Sequence, residues 1–326
     1  MKTETPLASL RRVVAWYFDH VYSVTEGPGV VPFYCDPLRV GRFAVDPRAL
    51  ADGRDAALFK LFVALSMYQA RRDVLIMRQQ RAMSASVVSA LSSPERLALL
   101  LSETECAHLA APAAFDSGCD VAKLGSFVDC ASRPGLACPV KDATTHLRRM
   151  GDSGKLPTSA WLHHWKDGGL RALLTEVREA EPDPGRRAEL LVESLARVHR
   201  VGRKLATLFV AAVSTPSLAP GLTPWFPEID GTALVVVDTH VARAIDALRR
   251  PGAPSSYEAR ARWLKKQAAV LDLREFHPNV PSYAPRLVQQ ALYSFGSKSN
   301  RTDAGDPCAP EGAPCRACVP RLCPFA

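Results

Sequence analysis

Two side chains stand where they can do chemistry on a carbon centre. Lys204 lies in Val198-His199-Arg200-Val201-Gly202-Arg203-Lys204-Leu205-Ala206, at the head of an apolar stretch of helical spacing. Asp238 closes the apolar run Val235-Val236-Val237 and precedes Thr239-His240-Val241-Ala242-Arg243. An amine attacks only when neutral, a form favoured by desolvation and by neighbouring cations. A carboxylate can stabilise developing positive charge and assist proton transfer. Asp238 is equally well placed to be an ordinary helix N-cap, and both uses are compatible if different oxygens serve them. Lys204 and Asp238 are expected to share one cleft.

A second group of residues surrounds the lysine. Two helices joined by a tight glycine-containing turn direct backbone N–H groups outward, and the positive end of the second helix completes a phosphate site that ignores base sequence. Arg200, Val201, Gly202 and Arg203 are the candidate contacts there, with Arg200, Arg203 and Lys204 adding charge. A plain helical hairpin with solvated cations is the alternative. The third group is the tail, where Cys308, Cys315, Cys318 and Cys323 form Cys-x6-Cys-x2-Cys-x4-Cys. Four thiolates this close can surround one inorganic centre, and the spacing alone leaves zinc and a 4Fe–4S cluster both open. Cys106, Cys119, Cys130 and Cys138 lack close pairs and read as buried or surface thiols.

The elements that must position these residues are predicted to be helical. Apolar periodicity marks helices near 7–22, 56–82, 169–180, 184–199, 203–214, 256–273 and 284–295. Ser93-Pro94-Glu95 starts another, running to about Leu101, and Thr158 is read as the cap of a helix holding Trp161 and Trp165. Residues 26–54 and 215–232 read as irregular, and 105–157 give no clear pattern. Residues 234–237 fit a short strand or an extended run, so the fold class is all-α. The chain has 326 residues, 47% of them apolar, enough for a sizeable core and unlike a disordered chain. A net charge of +8 suits a polyanionic partner, though it also fits an ordinary basic surface. Lys2 and Glu4 are not followed by a secretory apolar region, and Leu205 to Val213 is too short to span a bilayer. A cytoplasmic, monomeric protein is expected, and in a reducing compartment nine cysteines point to metal ligation or burial.

Taken together, these segments resemble the helix-hairpin-helix DNA glycosylases, most closely the endonuclease III-like branch with an iron–sulfur cluster loop. The hairpin there reads roughly Leu-Pro-Gly-Val-Gly-Arg-Lys-Thr-Ala, and a Val-Asp-Thr-His segment follows it, as in Val237 to His240 here. The tail resembles the family's Cys-x6-Cys-x2-Cys-x5-Cys with one residue fewer in its last gap. His199 and Arg200 replace the usual proline and first glycine. A turn that demands positive φ there would strain Arg200. The likeness spans roughly 58–104 and 184–326.

The resemblance implies a two-lobed helical fold, with a helical barrel at 58–237 and a cluster-bearing lobe at 238–326 on which residues 1–57 pack. It implies Lys204 as nucleophile, Asp238 as catalytic carboxylate, and a 4Fe–4S cluster on Cys308, Cys315, Cys318 and Cys323. Gln69, near the end of an early barrel helix, is a candidate for filling the gap left by a flipped base; a surface glutamine is the alternative. No glutamate occurs in 59–78, which counts against the adenine-removing branch. The implied activity is a DNA glycosylase with AP-lyase activity on double-stranded DNA holding a modified or damaged base, in base excision repair. A glycosylase without lyase activity and a non-catalytic iron–sulfur DNA-binding module are the alternatives.

Overall fold

The structure, a computed structural model, describes residues 5–69, 71–119, 121, 138–147, 153–303 and 319–325. All regular structure among them is helical, and 234–237 belongs to neither helix nor strand. The helices that position the candidate residues are α1 (Pro6–Tyr17), α2 (Asp55–Ser66), α3 (Asp73–Ala82), α4 (Ala85–Ser92), α5 (Pro94–Ser102), α6 (Gly169–Ala180), α7 (Pro184–Leu195), α8 (Gly202–Ser214), α9 (Thr239–Leu248), α10 (Tyr257–Ala268), α11 (Pro285–Gly296) and α12 (Lys298–Asp303). No helix among the described residues is long and apolar enough to cross a membrane.

Local chemistry sets where many of these begin. Thr5, Ser93 and Asp183 each precede a proline at the first helical position, and each side chain accepts from a backbone N–H of the first turn, at 3.3, 3.1 and 2.7 Å. The cap satisfies an orphan donor, while the proline lacks a donor that would otherwise go unused. The same Asp-Pro signal starts two short helices inside 26–54, Pro37–Val40 and Pro47–Ala51, so that segment is not wholly irregular.

Two other expectations are corrected. The periodic stretch 56–82 is not one helix: α2 ends at Ser66 and α3 begins at Asp73. Between them Tyr68 is buried, and the side-chain amide of Gln69 donates to the Ser66 carbonyl at 2.6 Å. Met67 and Tyr68, apolar and buried, prolong the apolar run past the end of α2. Thr158 is not a cap either. It lies buried inside the helix Leu156–Ala160, which continues as a π-turn through Trp161–Trp165.

The chain forms two compact units, residues 33–210 and residues 1–32 with 211–326, whereas the sequence suggests divisions after 57 and after 237. In the first unit, Phe62 of α2 meets Phe209 of α8 edge-on at 5.1 Å and Trp165 at 5.4 Å, and Phe59 meets Trp165 at 4.9 Å. In the second, α1, α9 and α11 share a core of Leu10, Val14, Trp16, Val241, Ile245, Leu292 and Phe295, with the Trp16 and Phe295 rings edge-on at 5.1 Å. Each such side chain contributes roughly 1.5–3 kcal/mol by leaving water.

Candidate functional site

The hairpin lies in the 33–210 unit. After α7 the chain turns through Val198, whose N–H reaches the Leu195 carbonyl at 3.3 Å, and Val201, whose N–H reaches the Val198 carbonyl at 3.0 Å. Both valines are buried, which seats the turn on the core. The His199 N–H donates to Ser159 Oγ at 2.9 Å, tying the turn to the neighbouring helix. Between these anchors the backbone becomes left-handed at Arg200, with φ 66°, and again at Gly202, with φ 58°. Gly202 meets this demand without strain. Arg200 is the only non-glycine residue with positive φ among those described, and it occupies the position where the resemblance has glycine.

Left-handed backbone costs an L-residue roughly 1–2 kcal/mol, offset in part by the greater chain entropy a glycine loses on folding. Arg200→Gly is therefore expected to stabilise the fold by about 1 kcal/mol or less. The rise should appear in the urea midpoint at constant slope. A midpoint that stays or falls rejects the strain.

Arg200 is exposed. Arg203 instead pairs with α7, its Nη2 at 2.7 Å from Glu189 and its Nη1 at 4.0 Å from Glu193. Part of the hairpin's positive charge is thus neutralised within the hairpin. Lys204 is half-buried, and its Nζ donates to the Tyr68 carbonyl at 3.2 Å. That carbonyl lies in the break between α2 and α3, next to Gln69. The structure therefore gathers Arg200, Val201, Gly202, Arg203 and Lys204 on one turn and sets the lysine amine against the backbone beside Gln69. The Gln69 side chain folds back on the end of its own helix.

Asp238 lies in the other unit, as the N-cap of α9, with Oδ1 accepting from the Val241 N–H at 2.7 Å. The run before it is bonded on both sides. The Arg286 N–H donates to the Thr232 carbonyl at 3.1 Å, the Tyr257 hydroxyl to the Val235 carbonyl at 2.7 Å, and the Val236 N–H to Gln289 Oε1 at 3.4 Å. Nearby, the Tyr17 hydroxyl donates to Glu26 Oε2. Burial pushes the Glu26 carboxyl up to about 6, against the opposing pull of the Tyr17 hydroxyl, Arg286 and Gln290. Burial likewise lowers the pKa of Arg286, opposed by Glu26 first and then by Tyr17, Tyr257 and Asp238. Both shifts say that desolvation outweighs attraction in this cluster.

A consequence for stability follows from the sign. The folded state holds the Glu26 proton more tightly than the unfolded chain, whose ordinary value is 4.5. This contribution to stability is full below pH 4.5 and is lost as pH rises through 6. The loss is about 2 kcal/mol, from roughly 1.5 pH units at 1.36 kcal/mol each. Glu26→Gln removes the titration, so the variant should gain about that much on wild type between pH 4 and pH 7 in chemical denaturation. A stability difference that does not change with pH rejects the assignment.

Of the four tail cysteines, Cys323 is described; Cys308, Cys315 and Cys318 lie outside the described residues, as does Cys130. The Cys323 Sγ accepts from Arg301 Nη1 at 3.3 Å. Arg301 is fully buried, its guanidinium 4.6 Å from the Phe295 ring centroid, 5.3 Å from Trp16 and 5.4 Å from Phe325. A buried guanidinium is stabilised by an anionic acceptor, and a metal-bound thiolate is one. The surroundings of Cys323 therefore fit a thiolate-held inorganic centre, zinc and iron–sulfur alike. Cys106, Cys119 and Cys138 form no disulfide, and no three His, Cys, Asp or Glu among the described residues gather around a metal position.

Sequence inspection missed Glu26, Tyr17, Arg286, Gln289, Tyr257 and Arg301. Arg286 carried a faint signal, as a cation directly after the proline that starts an apolar helix. Glu26 sits in a Gly- and Pro-rich stretch with no signal at all. Known protein families, curated proteins and solved structures yield no match to this chain.

Proposed function

We propose that this chain is a DNA glycosylase with AP-lyase activity that removes a modified base from double-stranded DNA, on a two-lobed glycosylase fold. The observation that carries the reading is the hairpin. Its turn is left-handed at Arg200, where the resemblance has glycine, and Lys204 follows inside the first turn of α8. The exposed turn and the head of α8 suit a phosphate, and the target nucleotide must leave the stack before its sugar is accessible.

In this reaction the Lys204 Nζ lone pair bonds to C1′ as the C1′–N bond to the base breaks, and the departing base takes one proton from the amine. The C1′–O4′ bond then breaks as C1′=N forms, the remaining amine proton passing to O4′, which leaves a Schiff base. Loss of a 2′ proton then expels the 3′ phosphate and nicks the strand. Asp238 stabilises the positive charge on the sugar during base departure and assists the proton transfers. Cys308, Cys315, Cys318 and Cys323 would hold a 4Fe–4S cluster, which would cross-link the tail. Iron and acid-labile sulfide in the purified protein support that assignment, and zinc in their place removes it.

A panel of duplexes, each with one modified base, tests the reading when incubated with wild type and with Lys204→Ala. Wild type should excise at least one base, nick the strand and leave a protein–DNA adduct after borohydride reduction. Lys204→Ala should form no adduct. One observation favours a second reading. Lys204 Nζ is engaged by the Tyr68 carbonyl, which suits a glycosylase without lyase activity in which Asp238 activates water. Excision with no trapped adduct selects that version, and no excision from any duplex defeats both.

A further inference from the structure

We infer that Arg286, Gln289 and Tyr257 form a clamp that positions Asp238, with Arg286 as its central positioning residue. The inference rests on the role proposed for Asp238, and all the groups it uses lie in the unit formed by residues 1–32 and 211–326.

The clamp grips the run 232–237 at backbone groups of Thr232, Val235 and Val236. Arg286, in the first turn of α11, donates its N–H to the Thr232 carbonyl at 3.1 Å. Its Nη1 donates to Gln289 Oε1 and, at 3.1 Å, to Gln290 Oε1. Gln289 is 2% exposed, and the same Oε1 accepts from the Val236 N–H at 3.4 Å. From α10, the Tyr257 hydroxyl donates to the Val235 carbonyl at 2.7 Å. Side chains from two helices therefore fix the two residues that lie just before Val237 and Asp238. The cap bond from Val241 to Asp238 Oδ1 fixes the other side. A carboxylate meant to face a transient cation must be held before the charge appears.

Packing alone does not call for this cation. Arg286 is 5% exposed, sits beside the buried Leu287 and Val288, and its Nε is buried without a hydrogen-bond partner among the described residues. An apolar residue would fill such a place without the cost of desolvating a charge. Glu26 and Tyr17 act on the guanidinium from the N-terminal segment, and Tyr257 and Asp238 act on it from the clamp itself. Arg286 thus couples the N-terminal segment to the run that presents Asp238.

Binding to two duplexes tests the clamp without requiring turnover. One carries a cationic pyrrolidine in place of a single sugar; the other carries a neutral tetrahydrofuran there. Wild type should prefer the cationic duplex, because a held carboxylate faces it. Arg286→Gln should lower that preference about fivefold and leave the neutral duplex bound as before. Arg286→Lys should restore part of it. Tyr257→Phe keeps the ring and removes one hydroxyl; its preference should fall about threefold, and it carries the test if Arg286→Gln does not fold. Folded variants with the wild-type preference overturn the clamp and leave the role of Asp238 standing. A wild type without preference overturns that role, and the clamp with it.

Discussion

Asp238→Asn should lower single-turnover base excision by about 10³-fold and leave the fold intact. Asparagine retains an oxygen that can accept from the Val241 N–H, a bond of 2.7 Å in the native chain, so the start of α9 stays capped. What it loses is the negative charge that would face the sugar. Asp238→Ala removes both. It should match Asp238→Asn in excision and unfold at a lower denaturant concentration, by about 1 kcal/mol, the usual worth of an N-cap. The pair of variants separates two jobs that one side chain holds. Near-native excision by Asp238→Asn eliminates the catalytic assignment, and equal stability of the two variants eliminates the cap.

Phe62→Ala should cost about 3–5 kcal/mol, the largest stability change anticipated for this chain. Phe62 is fully buried, with the Phe209 ring at 5.1 Å and Trp165 at 5.4 Å, so truncation leaves a cavity that both rings border. Phe209 lies on α8, the helix that begins with Gly202 and Lys204. The same truncation should therefore loosen the lysine as well as the core. Phe226→Ala is the matched control: that ring is 43% exposed and should cost no more than about 0.5 kcal/mol. Similar midpoints for the two variants would mean that the aromatic cluster contributes little.

Where local chemistry decides the structure, the sequence was legible. Ser93-Pro94 announces a helix start because cap and proline act within one turn. The left-handed position at 200 was legible by a different route, since it appeared as a departure from a glycine pattern. The break after Ser66 was not, because Met67 and Tyr68 are as apolar as the helix they end, and the partner of the open backbone is the distant Lys204. The clamp behind Asp238 was invisible for the same kind of reason. Glu26, Asp238, Tyr257 and Arg286 come from four stretches of chain that only folding assembles. The Asp36-Pro37 and Asp46-Pro47 starts were local and readable, but the Gly and Pro around them masked the signal.

The arginine at the left-handed corner also changes how a duplex would be released. A glycine there offers a polyanion only backbone amides, whose grip depends weakly on ionic strength. An exposed guanidinium displaces a condensed counterion for each phosphate it meets, so log K should fall with log salt more steeply, by about 0.9 per contact. Arg203, already engaged by Glu189, adds less to that slope. On a duplex, the corner would therefore exchange backbone ease for a hold that low salt tightens and high salt dissolves.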